Sequence, residues 1–155
     1  MKIVTYPNPI LRKKTKKVTD FSKIEKIVKE MKETMEKHQG MGLSANQVGL
    51  DLSLFVAEYN QKFYVVVNPK ILRVSKEKKE MLEGCLSLPK ILANVKRPKS
   101  VVLEALNEKG KKIKLKAKDL LARVFLHETD HLNGILMIDK TDEIYQLKEE
   151  VKDLV

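Results

Sequence analysis

Residues 127–131 read His-Glu-Thr-Asp-His and hold two of the three histidines in the chain. On an α-helix, positions i and i+4 lie about 40° apart around the axis and roughly 6 Å apart along it. Both imidazoles can then reach one cation from one face. Glu128 stands about 100° round from His127, beside such a cation but not on it, where a general base for an activated water would sit. The flanks agree with a helix. Leu120, Leu121, Val124 and Leu132 recur at near-helical spacing, Asp119 is placed to cap the N-terminus, and Gly134 lies just past the expected end. Two histidines are one donor short of a catalytic site with three protein ligands and one open position. The only cysteine, Cys85, lies in Glu-Gly-Cys-Leu-Ser-Leu-Pro at 83–89. The glycine before it and the proline after it predict a strand end or irregular segment that can aim a side chain. A lone cysteine is most often a small core hydrophobe, but beside this helix it is the one obvious third donor. A thiolate and two imidazoles suit a tetrahedral site.

A third segment, Gly-Met-Gly-Leu-Ser-Ala-Asn-Gln-Val-Gly at 40–49, follows a helical stretch. It lacks the third glycine and preceding strand of a dinucleotide fingerprint, and no phosphate-binding G-x-x-x-x-G-K-[ST] run occurs. Gln47 is its chemically useful residue. A glutamine amide held near a metal can donate a hydrogen bond to a developing oxyanion; standing alone, it would read as an exposed loop glutamine.

Together, GMGLSANQVG, EGCLSLP and HETDH resemble the three signature motifs of the peptide deformylase family, in the family's order. The resemblance extends to Ile3-Val4-Thr5-Tyr6-Pro7-Asn8-Pro9-Ile10-Leu11-Arg12, to Asn68-Pro69 and to Lys96-Arg97-Pro98, and thins after about Asp139. Ser44 departs from it, since family members usually carry a second alanine there, and the change concerns local packing. The resemblance implies an α+β fold with antiparallel or mixed sheets around a central helix that carries HETDH. It implies removal of the N-formyl group from the initiator methionine of nascent peptides, with release of formate. Cys85, His127 and His131 would hold one divalent metal, Fe2+ in the cell, with Zn2+, Ni2+ or Co2+ able to substitute. Glu128 would move the proton, while Gln47 and the backbone N–H of Leu86 share the oxyanion charge. Met41, Gly42, Leu120, Val124 and His127 would surround the methionine side chain, although core packing explains Leu120 and Val124 equally well. Formyl carries only hydrogen beyond its carbonyl, so a tight pocket could exclude acetyl groups and ordinary peptide bonds by size.

At 155 residues, the chain reads as one catalytic domain spanning 1–155, large enough to bury roughly two-thirds of its unfolded surface. Its apolar runs, such as Val65-Val66-Val67, are too short to span a bilayer, so no membrane partner is expected. The opening Met1-Lys2-Ile3-Val4 has no signal-peptide apolar run, and a single cysteine fits a reducing cytoplasm. The net charge is +10. Its lysines are dispersed, at 13–14, 16–17, 76–79 and 109–118, and aromatics make up only 5%. That argues against a reader of specific nucleic-acid sequence, and leaves attraction to a polyanionic particle such as the ribosome as a weaker reading.

Ser22-Lys23-Ile24-Glu25 has the form of a capping box. It opens a predicted helix to about His38, which reads as a helix-end residue. Strands are expected at about 52–58, 63–68, 70–75, 100–106 and 111–116, with turns at Tyr59-Asn60-Gln61 and Asn107-Glu108-Lys109-Gly110 and a short helix over 143–155. Glu83 and Arg97 are expected to pair and fix the Cys85 loop, because an arginine fork accepts a carboxylate bidentately. Two other classes share HETDH: a zinc endopeptidase, and a metal-stabilised binding module without activity. The first lacks the H-x-x-G-x-x-H continuation; the second leaves Gln47, Cys85 and Glu128 unexplained.

Overall fold

The computed structural model describes residues 1–149. Helix α1 (Ile24–Lys37) leads into β1 (Gly42–Ser44), β2 (Leu54–Tyr59), β3 (Lys62–Val74), β4 (Lys78–Cys85), β5 (Leu88–Pro98), β6 (Ser100–Leu106) and β7 (Lys112–Lys118). Helix α2 (Asp119–Leu132) and the short β8 (Ile144–Gln146) follow. One sheet runs in the order β1-β2-β3-β6-β7 and the other β4-β5-β8, with antiparallel pairing throughout. Helix α2 packs on β1, β2, β6 and β7 of the first sheet and on β5 of the second. This is the expected α+β arrangement around the HETDH helix.

The central position of α2 follows from its composition. Ala122, Val124, Phe125 and Leu126 are buried against Phe55, Val66, Val101 and Leu103 of the larger sheet. Phe125 meets Phe55 at 5.8 Å between ring centroids and Tyr64 edge-on at 5.3 Å. Buried aromatic pairs of this kind add about 0.5–1.5 kcal/mol beyond area burial. Helix α1 covers the opposite face of the sheet through Val28, Met31 and Met35 on Leu43, Leu54 and Val56. Gly134 ends α2 with φ +73°, and a Cβ there would collide with the Arg12 carbonyl, so only glycine fits.

Several expectations are corrected. The capping box at Ser22 does not form: Lys23 is the N-cap, and the Ser22 N–H bonds the Asp20 carboxylate in a preceding turn. Asp119 is the first residue of α2 rather than its cap, with φ +56°; its carboxylate still suits the positive end of the helix. The two strands expected at 63–68 and 70–75 are one strand, β3. It bends where Asn68 adopts φ +51° and its side chain bonds both Val18 N–H and Val18 C=O. The helix expected over 143–155 is contradicted by β8, which pairs Ile91↔Gln146 and Ala93↔Ile144; residues 150–155 lie outside those described. The turn at 59–61 is as expected, with Asn60 and Gln61 both at positive φ, the requirement of a tight hairpin.

Phe125→Ala should lower unfolding free energy by about 3–5 kcal/mol in urea titration. Leu82→Ala, at a side chain 51% exposed, should change it by less than about 0.5 kcal/mol. Similar costs at both positions would mean that the core does not centre on α2.

Candidate metal centre

One helical turn brings the His127 and His131 Nε2 atoms to 3.1 Å of each other. Cys85 Sγ lies 3.2 Å from His131 Nε2. Cys85 is the last residue of β4, paired with Leu88 across a two-residue turn, and the ladder shifts register between Glu83 and Cys85. The three donor atoms lie within 4.8 Å of one another, and all three residues are buried. Ligands of a tetrahedral cation at bond lengths near 2.0–2.3 Å stand about 3.3–3.6 Å apart, so the observed spacings are close to those a divalent ion needs. The mixed thiol and imidazole set suits Zn2+, Fe2+, Ni2+ or Co2+ rather than Mg2+ or Ca2+.

Glu83 is the carboxylate on which this cluster leans. Its Oε1 faces His127 Nδ1 at 2.9 Å and accepts from Arg97 Nη2 at 3.0 Å. Its Oε2 accepts from Arg97 Nε at 2.6 Å and Arg123 Nη1 at 2.5 Å. The expected Glu83–Arg97 pair is therefore present and bidentate. Arg123 was missed: within the apolar stripe of α2 it reads as a surface charge, yet it is 4% exposed. Its remaining bonds go to the Val95 and Lys79 carbonyls, which tie the β4–β5 hairpin to α2. Arg97 also donates to Asp130 at 2.9 Å, giving the fourth residue of HETDH a structural duty.

Burial pushes the Glu83 carboxyl up, but the hydrogen bonds and charges of His127 and Arg97 hold it well below the usual carboxylate range. Burial acts to lower the His127 pKa; hydrogen bonding with Cys85 and Glu83 and the nearby Glu128 charge instead raise it to about 10. His131 is pushed well below its ordinary value, by burial and by the charges of His127 and Arg97. Two imidazoles this close cannot both be charged, and a metal held between their Nε2 atoms would require both rings to be neutral.

Glu128 is fully buried, 3.9 Å from His127 Nε2, and neither carboxylate oxygen has a hydrogen-bond partner among the described residues. Burial raises its pKa to about 7, against the lowering effect of His127 and Arg97. It is held under Gly42, where a Cβ would come within 2.9 Å of the carboxylate. Gln47 lies in a 3-10 turn, Ala45–Val48. Ser44 N–H donates to Gln47 Oε1 at 3.0 Å. A backbone N–H can only donate, so this contact settles which end of the amide is oxygen and turns Nε2 toward Cys85 Sγ, 3.5 Å away. The Ser44 hydroxyl, the departure from the family alanine, is accommodated by Asn46 Oδ1 at 2.7 Å and Gln47 Oε1 at 2.9 Å. Asn46 in turn donates to the His131 carbonyl at 2.7 Å.

Met41 and Leu120 are half-buried against the cluster that contains Val124 and Phe125. Leu120 also lines a cavity of about 190 Å³ with Tyr59 and Met81, whereas Val124 is wholly buried in the core. Leu86 packs over Gly40. His38 caps the end of α1, with Nδ1 2.9 Å from the Thr34 carbonyl, and takes no part in the centre.

The polypeptide deformylase family pattern matches residues 1–147. The chain is 44% identical over 146 residues to a peptide deformylase of Borreliella burgdorferi, covering 92% of this chain and 88% of that one. It is 38% identical over 150 residues to one of Natranaerobius thermophilus, covering 96% of each. The crystal structure of peptide deformylase from Thermotoga maritima superposes with a TM-score of 0.89 at 38% identity, over 91% of this chain and 97% of that one.

Glu83 and Arg97 should control how firmly the three donors hold a metal. Arg97→Lys and Glu83→Gln should each weaken metal retention about 10–100-fold in chelator competition, and the double variant should be less than additive. Simple addition of the two effects, or unchanged affinity, would show that the loop is held by something else.

Proposed function

The chain belongs to the peptide deformylase family and hydrolyses the N-formyl group of newly made polypeptides, and we propose that it does so at the Cys85–His127–His131 centre. The observation that carries this reading is the buried thiol and two converging imidazoles, with an unpartnered carboxylate, Glu128, beside them. A divalent cation on these donors would acidify water and polarise the formyl carbonyl. Cys85, His127 and His131 would hold it, and Glu83 presents the His127 ring.

Glu128 takes the proton of the attacking water, favoured by a pKa close to neutrality. It then delivers that proton to the departing nitrogen as the C–N bond breaks. Formyl amide and water thereby yield formate and a free amino terminus. Gln47 Nε2–H and the backbone N–H of Leu86 donate to the carbonyl oxygen as it gains charge. Met41, Gly42, Leu120, Val124 and His127 seat the methionine side chain in this reading, supported by the partly buried Met41 and Leu120, which Val124 backs from the core. Fe2+ is the cellular metal in this reading, with Zn2+, Ni2+ or Co2+ as substitutes, and the enzyme is a single cytoplasmic catalytic domain. Its +10 charge supports contact with the ribosome as a polyanion. Among the described residues no helix is long and apolar enough to cross a membrane.

Formate release from formyl-Met-Ala-Ser, without cleavage of internal peptide bonds, is the expected activity; the reverse pattern would identify an endopeptidase. Glu128→Ala should retain metal and lose about 10²–10⁴-fold in turnover, and substantial turnover in the loaded variant would assign the proton transfer elsewhere. Gln47→Leu should lose about 10²–10³-fold in kcat with KM and metal content nearly unchanged. A lowered Tm with normal kcat would make Gln47 structural.

A further inference from the structure

Ser87 occupies the turn between β4 and β5 and is wholly buried, yet the chemistry above gives it no duty. Its hydroxyl oxygen accepts a hydrogen bond from Gln47 Nε2 at 3.1 Å. The Gln47 amide therefore has a partner on every side: Ser44 N–H on its oxygen, Ser87 on one amide hydrogen, and Cys85 Sγ facing the other. The amide is planar, so these contacts fix its rotation as well as its place.

The surrounding main chain is fixed independently. Val4 N–H donates to the Gln47 carbonyl at 2.7 Å and Tyr6 N–H to the Ser87 carbonyl at 2.9 Å. One N-terminal segment thus spaces the two residues, and the Ser87 hydroxyl is left to act on the amide itself. We propose that Ser87 is a positioning residue for deformylation: it engages one hydrogen of the Gln47 amide so that the other is aimed at the carbonyl oxygen beside Cys85. This rests on Gln47 being an oxyanion donor. Loss of the hydroxyl leaves Oε1 anchored to the Ser44 N–H and hydroxyl and Nε2 held only by its long contact with Cys85 Sγ, so the donor is misaimed rather than deleted.

The test is a cycle of Ser87→Ala, Gln47→Leu and the double variant, loaded with Ni2+ and assayed on formyl-Met-Ala-Ser. Ser87→Ala should lower kcat roughly tenfold, short of the cost of losing the donor outright, with KM and metal content unchanged. The double variant should be no slower than Gln47→Leu alone, because Ser87 acts through the amide. In Zn2+-loaded protein, solvent exchange of the Gln47 side-chain amide hydrogens, followed by NMR, should accelerate in Ser87→Ala. Normal kcat in Ser87→Ala alongside a slow Gln47→Leu would overturn the positioning role, as would losses that multiply or unchanged amide exchange. Normal turnover in Gln47→Leu would instead remove the reading of Gln47 on which the proposal stands.

Discussion

The structure depends on one buried carboxylate. Glu83 accepts hydrogen bonds from two guanidinium groups and faces the outer nitrogen of the His127 imidazole. Each partner comes from a different place: Arg97 from the end of β5, Arg123 and His127 from successive turns of α2. Glu83 itself stands two residues before Cys85, so the group that orients one donor is covalently close to another. Without this carboxylate, Arg123 would keep only carbonyl partners and Arg97 only Asp130, and removing one partner of a buried pair costs about 3–5 kcal/mol. The same contacts set the His127 tautomer. A hydrogen bond at Nδ1 leaves Nε2 to point into the centre.

Burial performs the second task. Glu128 has no hydrogen-bond partner among the described residues, and desolvation holds its pKa near 7, where it can both take and return a proton. Gly42 permits the close approach that removes water from that carboxylate. The large apolar core under α2 is thus part of the chemistry: Phe125 and its neighbours hold the helix whose opposite face carries His127 and His131, with Glu128 on the flank between. Asn46, bonded to the His131 carbonyl, ties the Gln47 turn to that helix, so Glu128, both histidines and the Gln47 amide share one framework.

Much of this was legible in the residues, for definite reasons. The i, i+4 histidines announce a helix and a site together, and a chain with so few histidines and cysteines leaves little choice of donors. Glu83 and Arg97 could be paired because they flank one hairpin. Arg123 escaped notice since nothing in an apolar helical stripe marks a guanidinium whose partners lie on two distant strands. Nothing in the sequence marked Ser87. Of β4 and β5 the sequence showed only a strand end near Cys85 and an extended return to Arg97, because most of β4 is exposed and rich in Lys and Glu, and only its last three residues are buried, too few for a period-two signal. The polar segment after Asp139 carried a weak helical pattern, but an open edge of β5 claimed it as β8. Pairing partners far along the chain decided these elements.

The central claim is that one thiolate and two imidazoles form a single coordination sphere organised by Glu83. X-ray absorption at the zinc edge of Zn2+-loaded protein tests it most directly. The prediction is one sulfur at about 2.3 Å and two imidazole nitrogens at about 2.0–2.1 Å, with the sulfur contribution lost in Cys85→Ser. A zinc ion surrounded only by nitrogen and oxygen in the unaltered protein would contradict it, leaving Cys85 a core residue and HETDH with some other third donor.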